Sequence, residues 1–185
     1  MDSLMAALVA ALLIRASDPS TDMVATAAER SGRPGSVLSG ILIALIVTQA
    51  AAAAGGYFIG PHLAPNAQRL FLAFALLAAA SSAFWPGKAK PIDAGRFTAT
   101  GVATRLILGG WTGRSEFVTL AVAVGGTAAL AGIGGLIGSF VVLATAAVAG
   151  ESLWATRPRR AIDWTIGSVL AVAGAWLALS ALRLI

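Results

Sequence analysis

Long apolar runs alternate with short polar joints from one end of the chain to the other. The clearest run, Val37 to Ile59 (VLSGILIALIVTQAAAAAGGYFI), carries no charged residue. As a helix it is long enough to cross a hydrocarbon core of about 30 Å. Comparable runs lie at roughly Asn66–Trp85, Ala129–Ala149 and Trp164–Leu182. Two longer segments, about Ser3–Ala28 and Phe97–Thr127, share the apolar character but are interrupted by LIRASDPSTD (13–22) and GGWTGRSEF (109–117). The pattern predicts an all-α, polytopic membrane protein with six transmembrane helices. MDSLMAALVAALLI has no basic region ahead of it and reads as a first helix rather than a cleaved leader.

Composition supports this class. Of 185 residues, 58% are hydrophobic and only 11% charged, with mean hydropathy +0.85, whereas soluble domains run at about half apolar and a quarter charged. A net charge of +5 invites a nucleic-acid reading, but the basic residues sit in the joints between runs and form no stripe. With both termini on one side, that side receives Arg69 and Arg183. The other receives Arg30, Arg33, Lys88, Lys90, Arg96, Arg157, Arg159 and Arg160. The positive-inside rule then places both termini outside. Trp85, Trp154 and Trp164 fall at run ends, where indoles sit at headgroup level. An alanine- and glycine-rich chain with no cysteine fits a bacterial inner membrane, and it excludes disulfides, thiolate metal sites and cysteine nucleophiles. The bilayer is the expected partner, nucleic acid is not, and RPRR (157–160) reads as a topology signal.

The halves 1–90 and 91–185 match weakly at an offset of 95: Ser20 with Ser115, Gly40 with Gly135, Gly55 with Gly150, and one polar break with the other. A three-span unit repeated in tandem must insert in the opposite orientation. Two inverted three-helix repeats with matching breaks are the pattern of secondary transporters.

The breaks hold the candidate chemistry. Arg15, Asp18 and Asp22 fall at i, i+3 and i+7, on one helical face. Pro19 lacks an N–H and frees the Arg15 carbonyl, so Asp18 beside that carbonyl would suit a hard cation. Alternatively, Arg15 neutralises Asp18. In the second break Arg105, Thr112, Glu116 and Thr119 share a face; they line a polar cavity, or Glu116 pairs with Arg114 or Arg15. Elsewhere His62, in GPHLAPN, reads as a surface residue, and Gly134-x-x-x-Gly138 as close helix packing. No nucleophile with a base in reach, phosphate loop or histidine cluster argues for an enzyme.

This layout resembles the Gdt (Gcr-dependent translation factor) family of six-span cation/proton exchangers, associated with manganese and calcium. Each half of that family carries E-x-G-D-[KR]-[ST] in its first span; here RASDPS (15–20) and GWTGRS (110–115) stand in its place. AAERSGRPGSVLSG and AAVAGESL also fit the family's surrounding sequence. The resemblance implies that the motif carboxylates bind the transported ion. Carried over, the first Glu is Arg15 and the first Asp remains Asp18, whereas the second Glu and Asp are Gly110 and Gly113. The basic position is Pro19 in one repeat and Arg114 in the other; the hydroxyls remain as Ser20 and Ser115. Asp22 and Glu116 lie close by, at positions the family does not use.

Three readings follow. The first is a cation/proton exchanger for manganese or calcium, with Asp18 as metal ligand and proton carrier and no resident cofactor. The second is a non-transporting paralogue with a structural or regulatory role, working in a homo-oligomer or beside an intact family member. The third is an anion transporter using Arg15, Arg105 and Arg114.

Overall fold

A computed structural model describes residues 2–85, 98–110 and 113–184, and every regular element among them is helical. The helices are α1 (Ser3–Ala16), α2 (Pro19–Ser31), α3 (Pro34–Ile59), α4 (Pro65–Phe84), α5 (Ala99–Gly110), α6 (Arg114–Gly125), α7 (Ala128–Trp154) and α8 (Arg159–Ala181). Proline opens α2, α3 and α4, in the first turn, where the N–H groups have no intrahelical acceptor and the ring's fixed φ already suits a helix. A 3-10 turn at Gly60–His62 joins α3 to α4, and His62 is exposed as expected.

Helices α3, α4, α7 and α8 are each long and apolar enough to cross a membrane, and α1 with α2 makes a fifth span if a pair bent by 69° counts as one. Side chains are distributed to suit lipid. Ile43, Phe74, Val172 and Trp176 are mostly exposed on the flanks, while Arg15, Gln49, Glu116 and Asp163 are buried. Water would favour the reverse. The chain is a helical membrane protein.

Both interrupted segments are indeed two helices each, with Trp111 and Thr112 of the second break outside the described residues. The uninterrupted runs extend slightly beyond expectation: α3 starts at Pro34, not Val37, and α8 at Arg159, not Trp164. In α7 the helical geometry fails at Gly150 (φ 75°, ψ 174°), one residue past the expected end. A Cβ at Gly150 would lie 2.9 Å from Glu29 Oε2, the oxygen that accepts from the Ser152 N–H at 3.0 Å. Glycine is required there both by its positive φ and by that approach.

Packing runs mostly between the halves. α1 and α2 lie on α7, α5 and α6 lie on α3, α3 crosses α7, and α4 pairs with α8. Each of two buried clusters draws on both halves: Ile14, Ala79, Val118 and Ile166 in one, Val24, Ile41, Val102 and Leu143 in the other. Residues 1–90 and 91–185 therefore interlock and share their cores.

The bundle has two distinguishable ends. At the first, Ser3 Oγ accepts from the Thr127 N–H at 2.9 Å, and a Cβ on Gly60 would lie 2.8 Å from the Val124 carbonyl. At the second, Arg30 pairs with Glu151 at 3.5 Å, the Phe84 and Trp164 rings lie 5.1 Å apart, and Gly40 abuts the Ala99 backbone. The start of α1 and the end of α6 thus share one end, and the end of α2 and the start of α5 the other. Lys88, Lys90 and Arg96 lie outside the described residues.

Candidate functional site

The centre of the bundle forms where the first break meets α6. α1 stops at Ala16 because Pro19 cannot continue it. Asp18 adopts an extended conformation (φ −83°, ψ 133°) and caps α2, its Oδ1 accepting from the Ser20 N–H at 2.8 Å. A carboxylate suits this position, since the partial positive charge of a helix N-terminus lies beside it. Arg15 occupies the last turn of α1, where a cation is favoured for the opposite reason.

The buried Arg15 guanidinium is fully engaged. Its Nη2 donates to Glu116 Oε1, its Nη1 to Ser20 Oγ at 3.1 Å, and its Nε to Ser139 Oγ at 3.4 Å. Asp18 Oδ2 stands 3.8 Å from Nη1. Glu116, in the first turn of α6, also accepts from Ser115 Oγ at 2.9 Å and Thr48 Oγ1 at 3.4 Å. Five helices therefore converge on one arginine. Two carboxylates and four hydroxyls surround it, a donor set a hard cation would use, with a guanidinium in its place. Among the described residues, no three His, Asp or Glu side chains gather as a metal site.

Of the residues singled out from sequence, Arg15, Asp18, Ser20, Ser115 and Glu116 meet here. Asp22 does not share their face. The 69° bend turns it away, and it pairs instead with Arg157 Nη2 at 2.6 Å and with Arg159. The Arg15 carbonyl is not free either, since it accepts from the Asp18 N–H at 3.1 Å. The Ala16 carbonyl takes its place, receiving the Arg157 Nη1 at 3.0 Å. Arg157 also stacks over Trp154, 4.3 Å from the ring centre. Burial draws its guanidinium below its ordinary pKa and Asp22 pushes it back up; an arginine so placed stays charged. RPRR is thus a clasp on the first break as well as a basic joint. Arg105, half-buried on α5, makes no ion pair or hydrogen bond among the described residues.

One turn along from the central pair lies a layer in which sequence reasoning found Thr119 but missed Gln49. Gln49 is 1% exposed, and neither amide atom has a hydrogen-bond partner among the described residues. A Cβ on Gly135 would lie 2.5 Å from both Gln49 Oε1 and Thr119 Oγ1, so a glycine there makes room for two polar groups. The signal was present in the sequence: Thr48 and Gln49 are the polar pair inside an apolar span, and intramembrane polar residues point to function. Their convergence with Glu116 required the fold.

Two cavities flank the centre. One of about 480 Å³ lies between α3, α4 and α6, lined by Thr48, Ala52, Ala75, Ala79, Arg114 and Glu116 among others. The other, about 250 Å³, lies between α2, α7 and the joint before α8, and is lined by Asp22, Ala25, Glu151, Trp154 and Arg157. No known protein family, curated protein or solved structure matches the chain.

Proposed function

We propose that this protein is a secondary transporter of six spans, built as two inverted three-helix repeats on a Gdt-like plan, in which Arg15 replaces the bound ion. Each broken pair, α1–α2 and α5–α6, counts as one span in this reading. Both termini lie outside a bacterial inner membrane, because Arg30, Arg33, Arg157, Arg159 and Arg160 gather at the opposite end.

The observation that carries the proposal is the relation between the two cavities. α2 begins at residue 19 and α6 at 114, and α3 ends at 59 and α7 at 154, each 95 positions apart. At the same offset, Asp22 and Ala25 line the smaller cavity, and Phe117 and Leu120 the larger. One wall of each cavity, α2 in the smaller and α6 in the larger, is thus equivalent, and the smaller cavity has about half the volume and is lined by Asp22 with its partners Arg157 and Arg159. Such asymmetry is what alternating access requires: one repeat rocks against the other, and the cavities exchange states. The Gdt-type exchange of manganese or calcium would need the ion to displace Arg15 from Asp18 and Glu116. Arg15 already supplies that positive charge, so we place the cargo in the larger cavity and assign the central pair to coupling the repeats.

Because the chain has no cysteine, single thiols can report on the rocking motion. Asp22→Asn releases the clasp, whose partly exposed ion pairs contribute on the order of 1 kcal/mol. N-ethylmaleimide should then react roughly five-fold faster with an Ala25→Cys thiol and correspondingly slower with an Ala52→Cys thiol. A faster rate at position 25 with no change at 52 means local fraying, and would sink alternating access.

A further inference from the structure

We propose that the cavity between α3, α4 and α6 binds an amphiphile with a single anionic head group, its head on Arg114 and its tail among alanines. This deepens the transport reading by naming the cargo class of the open cavity, and it rests on that reading only for what happens after binding.

Arg114 is the first residue of α6 and lines the cavity. Its Nη1 is buried and has no hydrogen-bond partner among the described residues. Arg15, Arg30, Arg157 and Arg159 are each paired with a carboxylate, whereas Arg114 has no carboxylate within 4 Å among the described residues; the buried Asp163 feels its charge only from farther away and is paired with Arg159 at 3.6 Å. A guanidinium nitrogen removed from water and left unsatisfied is expensive, and the groups that would relieve it are acceptors, above all anionic ones. Glu116, in the cavity wall, does not provide the relief: it makes no ion pair or hydrogen bond with Arg114, and its charge is matched by Arg15. The charged donor left for a ligand is therefore a cation, and the ligand it selects is an anion.

The rest of the cavity is mainly apolar, with Thr48 and Ser82 as its hydroxyls, and suits a small hydrated anion poorly. Ala52, Ala75 and Ala79 are buried in its wall, small side chains that leave volume without offering hydrogen bonds. α3 and α4 are consecutive yet scarcely touch, and α6 packs on both. The gap between them opens sideways. Val47 and Phe117 at its mouth are 47% and 41% exposed, on the flank of the bundle that faces hydrocarbon. A ligand entering there comes from the bilayer, with an apolar body and one charged end. A volume of about 480 Å³ lies within the range of pockets that hold small organic ligands, roughly 300–1,000 Å³.

Decanoate, decyltrimethylammonium and decanol share a chain length and differ in head charge, so they separate the alternatives. The full chain in non-ionic detergent micelles, observed by native mass spectrometry, should form a saturable one-to-one adduct with decanoate and not with the other two. Arg114→Gln should weaken it about ten-fold, and Ala78→Trp, at the exposed rim, should block it while leaving the helical content of the protein unchanged. Equal binding of decyltrimethylammonium, or undiminished decanoate binding in both variants, would overturn the proposal. If Arg114→Gln does not fold, Ala78→Trp decides alone: decanoate bound as in the parent chain contradicts the assignment. Decanoate binding without reciprocal thiol rates at positions 25 and 52 would refute transport and leave this site standing; reciprocal rates without decanoate binding would do the opposite.

Discussion

Glu116→Leu should destabilise the folded protein by about 3–5 kcal/mol, because it strands the Arg15 guanidinium in the bundle interior. Asp18, 3.8 Å from Nη1, keeps a longer ion pair without a hydrogen bond and offsets only part of the loss, and the Ser20 and Ser139 hydroxyls carry no charge. An arginine at mid-membrane costs roughly 2.5–3.5 kcal/mol even on insertion scales. The double variant Arg15→Met/Glu116→Leu should recover most of the loss, since an apolar pair of similar volume suits the Ile14 and Val118 cluster beside it. Unfolding midpoints in mixed micelles for the two single variants and the double give the coupling energy directly. A coupling near zero would show that the pair does not hold the repeats together. If the coupling is large and the double variant folds, thiol rates at positions 25 and 52 should no longer change reciprocally, because the link between the two breaks is gone.

The second large effect concerns α1 against α7. A Cβ on Gly134 would lie 3.0 Å from the Leu4 carbonyl carbon and 3.1 Å from the Leu8 nitrogen; on Gly138 it would lie 3.0 Å from Ala11 Cβ. Leu4 and Leu8 meet Gly134 with backbone atoms, which cannot turn aside as a side-chain tip can. Without a hydrophobic drive between helices inside a bilayer, such close approach is what holds them together. Gly134→Val and Gly138→Val should each lose at least the 1–3 kcal/mol of a typical overpacked core. Little monodisperse protein should then survive size-exclusion chromatography. Gly35→Ala, where nothing lies within 4 Å, is the matched control and should behave as the parent chain. Normal elution of both valine variants would mean that α1 does not pack here.

Which features were legible in the sequence follows from what one-dimensional patterns encode. Unbroken apolar runs have one helical solution in lipid, so α3, α4, α7 and α8 fall within a few residues of expectation. The breaks were legible too, because Pro19 and Gly113 mark them chemically. Asp22 was not, since the i+7 argument assumes one continuous helix and the break at Ser17–Asp18 removes that assumption. Arg157 and Arg159 were read only as topology signals; an arginine in a joint looks the same whether it faces water or reaches back to Asp22. The pairing of Arg15 with Glu116, one of two partners open to Glu116, needed the fold to bring residues 101 positions apart together. Ser139 and Gln49 gain meaning only beside that pair.

Sidedness of the joints tests the inversion of the two repeats most directly. Arg33, in the α2–α3 joint, and Thr127, in the α6–α7 joint, are both exposed and occupy equivalent places in the two halves. Arg33→Cys and Thr127→Cys, made singly in this cysteine-free chain, would be labelled with a membrane-impermeant maleimide in intact cells and in inside-out vesicles. Inverted repeats require opposite answers: position 127 labelled in intact cells, position 33 only in inside-out vesicles. Labelling of both positions from the same side would leave α5–α6 as a re-entrant hairpin and contradict the inverted-repeat account.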